Sequence, residues 1–180
     1  MQTLIFLTGL LGSMVLVTGA AWKDKSGSTR SPIKSIKNWL FAIGGLVMLI
    51  YAIMGYVVIG GPIFFIFLEI LVTIASILMM LNTNDKIDIT VIGISGLGLI
   101  IWSLKLFEGY NTVFFIIGLC GIGLGYAFKI GSLRRDIALT LGSTLIAIFS
   151  YLEASWIFFW LNIFFAIFSG YYLVLNLKKP

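Results

Sequence analysis

Seven apolar stretches, most of them about 20 residues long and separated by short polar loops, decide what this chain can fold into. They run roughly Thr3–Trp22, Asn38–Val57, Pro62–Leu81, Ile87–Leu106, Thr112–Phe128, Ile137–Tyr151 and Trp156–Leu175, the sixth being the shortest. A helix rises about 1.5 Å per residue, so about 20 residues cross a hydrocarbon core of about 30 Å. The runs are continuous rather than alternating, which argues for helices over the strands of a barrel. With 60% hydrophobic and 11% charged residues, the 180-residue chain lacks the polar side chains to cover a water-facing surface. The expected fold is an all-α integral membrane protein with seven transmembrane helices. The first stretch has no basic residue ahead of it and is long for a signal peptide, so it reads as a retained helix.

The charges give an orientation. Lys23, Lys25, Arg30, Lys34 and Lys37 follow the first stretch, Lys86 the third, Lys129, Arg134 and Arg135 the fifth, and Lys178 and Lys179 the seventh. If seven helices alternate, these share one side and only Lys105 lies on the other. The excess of basic residues then places the N-terminus outside and the C-terminus in the cytoplasm, in a plasma or bacterial inner membrane. Trp22 and Trp39 would sit at one interface, Trp102 and Trp156 at the other. Pro62 is expected to open the third helix, where a missing N–H costs nothing. Lys105 and Glu108, three apart at the end of the fourth helix, read as a solvated pair.

The same inventory excludes several classes. The net charge of +5 belongs to topology signals, so no nucleic-acid partner is expected. There is no histidine, which removes the commonest general base and metal ligand. A single cysteine, Cys120, rules out an intramolecular disulfide. No phosphate loop or dinucleotide fingerprint is present. The chain is expected to be neither an enzyme nor a holder of a cofactor or metal.

An internal repeat organises the stretches. TLIFLTGLLG at 3–12 and TVFFIIGLCG at 112–121 agree at five of ten positions, with a spacing of 109. LEILVTIAS at 68–76 and LNIFFAIFS at 161–169 agree at four of nine, with a spacing of 93. Between them, 39–50 matches 137–148 weakly at a spacing of 98. The falling offset is confined to loops. The expected organisation is a first three-helix repeat at 1–82, a linker helix at 83–111 and a second repeat at 112–180. A three-span unit ends opposite where it began, and one extra span restores the orientation. The halves become parallel copies, a plan used by secondary transporters. The glycines recurring in these helices, Gly9, Gly12, Gly44, Gly45, Gly118, Gly121 and Gly142, read first as close packing points and second as hinges. The GIGLG run at 121–125 also offers a spacing for a homo-oligomer contact.

Glu69 is the only charge between Pro62 and Leu81. A charge near a helix centre costs about 2.5–3.5 kcal/mol on insertion scales, and protonation would remove part of that cost. The repeat pairs Glu69 with Asn162, each six or seven residues into its helix and roughly 10 Å deep. If the symmetry axis runs between them, they face each other across a central cavity. Thr73 and Ser76 continue one stripe after Glu69, and Ser169 follows Asn162. Phe65 and Phe67 precede Glu69; Phe158 and Trp160 precede Asn162. The expected substrate-binding set is Glu69, Asn162, Thr73, Ser76, Phe65, Trp160 and Ser169. Hydrogen-bonding groups with aromatic walls suit a small polar ligand that has a ring. The alternative is a carboxyl that bonds a neighbouring helix.

The 3+1+3 plan, the matched polar positions 69 and 162 and the pattern KxxKNWLFxI at 34–43 resemble the SWEET sugar transporters and, more closely, the PnuC-type vitamin transporters. In those families an asparagine in each of helices 3 and 7 helps line the substrate site. The resemblance implies that role for Glu69 and Asn162, with glutamate standing where one asparagine is usual. It implies a transporter of a sugar, nucleoside or vitamin precursor, nicotinamide riboside first among them, working by alternating access. Facilitated diffusion needs no coupling ion, although Glu69 could couple a proton. The competing expectation is a non-transporting accessory, scaffold or sensor protein whose first basic loop binds anionic lipid or a cytoplasmic partner.

Overall fold

The computed structural model describes residues 1–22, 32–81, 83–129 and 131–178. Lys23, Lys25, Arg30 and Lys179, which contribute to the expected orientation, lie outside the described residues, as does Asn82, where the first repeat is expected to end. The helices are α1 (Gln2–Ala21), α2 (Ile36–Met54), α3 (Phe64–Leu81), α4 (Asp85–Lys105), α5 (Tyr110–Ala127), α6 (Leu133–Leu152) and α7 (Trp156–Leu177). All seven are long and apolar enough to cross a membrane, and no strand occurs among the described residues. The chain is therefore an all-α, multi-pass membrane protein in contact with a lipid bilayer.

The helix ends differ from the hydropathy reading where caps act. α6 is not short: it has 20 residues and begins at Leu133, because the Ser132 hydroxyl accepts from the Arg135 N–H at 3.3 Å. Arg134, Arg135 and Asp136 depress the local hydropathy but sit in a capped first turn. α2 likewise begins two residues early, under a Ser35 cap that accepts from the Asn38 N–H. Its far end widens into a π-helical turn, Gly55–Ile59, closed by Gly60 at φ 76, a left-handed conformation that glycine adopts without strain. α3 starts at Phe64 rather than Pro62. The carbonyls of Pro62 and Ile63 accept from the first N–H groups of the helix, so the proline lies just before it. Glu108 lies beyond the end of α4, and both it and Lys105 are exposed. Trp22, Trp39, Trp102 and Trp156 are all about half exposed, as anchors require; Trp39 also donates from Nε1 to the Ile33 carbonyl at 2.8 Å.

The chain divides into two compact units, Met1–Asp85 and Lys86–Pro180. In the first, α2 packs on both α1 and α3. Gly44 presses on Leu16: a Cβ there would lie 2.7 Å from the leucine Cγ. Gly12 meets Val47 and Met48. Asn38, in the first turn of α2, donates from Nδ2 to the Met79 carbonyl in the last turn of α3 at 3.3 Å. In the second unit, α6 packs on both α5 and α7. Gly121 and Gly142 bring α5 and α6 into backbone contact; a Cβ on Gly142 would lie 2.7 Å from the Ile122 nitrogen. Gly125 meets Leu139. Gly121 and Gly125 of the GIGLG run thus pack against α6 within the chain. Asp136, in the first turn of α6, accepts from Asn176 Nδ2 in the last turn of α7 at 2.5 Å. At the other end, Asn111 of α5 donates to the Glu153 carboxylate at 3.1 Å.

Candidate functional site

The local sequence of α3 makes a helix buried on most of its circumference. Phe64, Phe65, Phe67, Leu68, Leu71, Val72, Ala75 and Leu78 are all buried. A 3.6-residue period cannot put such a set on one stripe, so the polar residues among them are also shut away from solvent. Glu69 is 1% exposed and Thr73 7% exposed. Glu69 Oε2 and Thr73 Oγ1 are the two buried side-chain oxygens that find no hydrogen-bond partner among the described residues. They are four residues apart, one turn along the same face.

Their neighbours are defined by the packing of α2. Gly45 stands beside Thr73; a Cβ on Gly45 would lie 3.5 Å from the threonine Oγ1. With Asn38 beside Met79 at one end, this sets an antiparallel register that brings Met48, itself buried, to the level of Glu69. Ser76 is fully buried but satisfied: its hydroxyl donates to the Val72 carbonyl at 2.8 Å. Phe65 lies one turn before Glu69 and is buried. The structure therefore brings Phe65, Glu69, Thr73 and Ser76 together in the first unit. No basic residue occurs on α3. Lys34 and Lys37 stand near the Met79 end of α3, ten residues from Glu69 or about 15 Å along the axis.

The second unit places its candidates differently. Asn162 is 4% exposed, but its Nδ2 donates to the Phe158 carbonyl of its own helix at 2.9 Å. Phe158 and Ser169 are buried with it. Trp160 is not: it is 55% exposed, two residues and so about 200° around the helix from Asn162. It belongs to an aromatic ladder with Trp156, Phe159, Phe164 and Tyr151, whose successive ring centroids lie 5.1–6.5 Å apart.

Sequence reasoning missed the interhelical hydrogen bonds made by Asn38 and Asp136. Their signal was the polar residue opening the second helix of each set, Asn38 and Asp136, spaced by the same 98 residues as Gly44 and Gly142. Among the described residues, no three His, Cys, Asp or Glu side chains gather as a metal set. What the first unit offers instead is a buried carboxyl oxygen, Glu69 Oε2, and a buried hydroxyl one helical turn away, Thr73 Oγ1, neither with a partner among the described residues. The sequence matches no protein-family model, and neither the curated proteins nor the solved structures yield a significant match.

Proposed function

We propose that this protein is a membrane transporter that moves a small polar metabolite, in the range of nucleosides, vitamin precursors or sugars, by alternating access. The observation that carries this reading is the Glu69 carboxyl, fully buried in a membrane-spanning helix with Oε2 unpartnered. An unsatisfied buried polar group costs about 1–3 kcal/mol, and more if charged. Intramembrane ionisable residues are by default substrate- or ion-handling groups. Among the described residues Oε2 finds no donor, so no hydrogen bond from that oxygen holds a neighbouring helix.

Further features support two three-helix repeats joined by α4. Gly12 and Gly121, Gly44 and Gly142, and Asn38 and Asp136 fall at the expected offsets and do the same work in their own units. In this reading the N-terminus is outside and the C-terminus cytoplasmic, on the basic side marked by Lys34, Lys37, Lys86, Lys129, Arg134, Arg135 and Lys178. Glu69 and Thr73 of the first repeat bind substrate, whereas the Asn162 amide of the second is already taken up by the Phe158 carbonyl of its own helix. No catalytic chemistry is assigned. Kinship with the SWEET- or PnuC-type transporters is the narrower form of the proposal; it rests on the helix plan and on residues 34–43, 69 and 162.

The test is uptake into proteoliposomes, with a panel of labelled nucleosides, vitamin precursors, sugars and amines. The proposal expects flux of at least one class, lost in Glu69→Ala while the variant stays folded. Flux equal to that of protein-free liposomes for the whole panel would overturn it, as would full activity in Glu69→Ala.

A further inference from the structure

We infer that the solute handled at Glu69 carries an ammonium group and exchanges there with a proton. This rests on the transport reading and narrows its substrate class.

The two unpartnered atoms define the chemistry. Glu69 Oε2 accepts hydrogen bonds, and Thr73 Oγ1 both accepts and donates. An ammonium group offers N–H donors to both at once. Phe65, one turn to the other side of Glu69, adds an aromatic residue of the kind that favours a cation over a neutral solute. A sugar brings hydroxyls but no charge, and would leave an ionised Glu69 uncompensated.

The charges around the site point the same way. α3 packs on α2 and on the turn Pro32–Lys34. The basic groups these elements carry are Lys34 and Lys37, both at the far end of α3. The titratable group on α2 nearest in register to Glu69 is Tyr51, and a tyrosine phenol is uncharged at neutral pH. Nothing on these elements compensates a carboxylate at position 69. The compensating cation comes from outside, as a proton or as the substrate. When the ammonium arrives, the carboxyl proton leaves to water; when the ammonium departs, a proton returns. The site is neutral in both loaded states. A bare carboxylate in the apolar interior is the costly one, so the cycle runs between the two loaded forms and transport is an exchange.

The experiment is calorimetric binding to the full-length protein in nanodiscs, with benzylammonium and its neutral isostere benzyl alcohol as probes. Proton release is followed with an indicator dye in weak buffer. Benzylammonium is expected to bind at least about tenfold more tightly than benzyl alcohol. Below the titration of the site its affinity should rise about tenfold per pH unit, the slope for exchange of one proton. A proton should be released for each ammonium bound. Glu69→Gln should abolish both signals. Gly45→Ala keeps the fold, because its methyl makes only ordinary contact with the Thr73 hydroxyl, yet should weaken benzylammonium several-fold. Equal affinity for the two probes, binding without proton release, or unchanged behaviour in Glu69→Gln would each overturn the inference. If neither probe binds while proteoliposomes carry a sugar or nucleoside, the ammonium class falls and transport stands. If neither probe binds and no solute moves, both fall.

Discussion

The proposed repeat pairs Glu69 in α3 of one three-helix set with Asn162 in α7 of the other, and the two residues solve the same problem in opposite ways. Asn162 satisfies its amide by donating to the carbonyl one turn back on its own helix. Glu69 leaves Oε2 without a partner, and so does the Thr73 hydroxyl one turn further along. The residue aligned with Thr73 is Ala166, so the second set lacks that hydroxyl altogether. The packing devices do not differ in this way. Each set has glycines where its first and second helices meet, and a polar bond between the start of its second helix and the end of its third. Where folding requires a feature, both sets have it. Where only one set has it, and at an energetic cost, function is the better explanation.

The comparison can be pushed until it breaks. The largest effect is expected from the polar pair itself: Glu69→Gln should reduce solute uptake to the liposome background, whereas Asn162→Ala should cost only about 1 kcal/mol of stability, the worth of one hydrogen bond. Uptake assays beside denaturation curves will separate the two. Next come the glycines. A Cβ on Gly142 would strike backbone, at Ile122 N and Gly121 C, so Gly142→Ala should destabilise by about 3 kcal/mol; Gly12→Ala strikes the side chains of Val47 and Met48 and should cost about 1 kcal/mol. Melting temperatures in detergent will rank them. Asp136→Ala removes the hydrogen bond that Asn176 Nδ2 donates to a carboxylate and should cost about 2 kcal/mol, against about 1 kcal/mol for Asn38→Ala, whose amide donates to a backbone carbonyl. The smallest effect should be stabilising. Ala154 ends α6 at φ 51, with the Ser155 N–H donating to the Ser150 carbonyl, and Ala154→Gly should add about 1 kcal/mol.

Hydropathy made the seven spans legible because each is a long uninterrupted apolar run. It misjudged the ends of α2 and α6, since a serine cap such as Ser35 or Ser132 extends a helix into residues that a hydropathy window scores as loop. Glu69 was legible as a lone charge. Its missing partner was not, because that depends on what α2 presents to it. The relation between Asn162 and Trp160 was open to sequence reasoning: at 100° per residue, two positions apart cannot share a helical face. Grouping them by proximity along the chain produced the misplacement. The bonds of Asn38 and Asp136 escaped notice because each joins helix ends about 40 residues apart in sequence, which no local periodicity marks.

The claim that Glu69 is kept for function rather than for folding is tested most directly by Glu69→Leu, measured for both melting temperature and solute uptake. Leucine fills similar space without an oxygen to satisfy. If the unpartnered carboxyl is kept at a cost to stability, the variant should melt higher by roughly 2–4 °C and transport nothing. A lower melting temperature with uptake preserved would contradict the account and make Glu69 a residue that holds helices together.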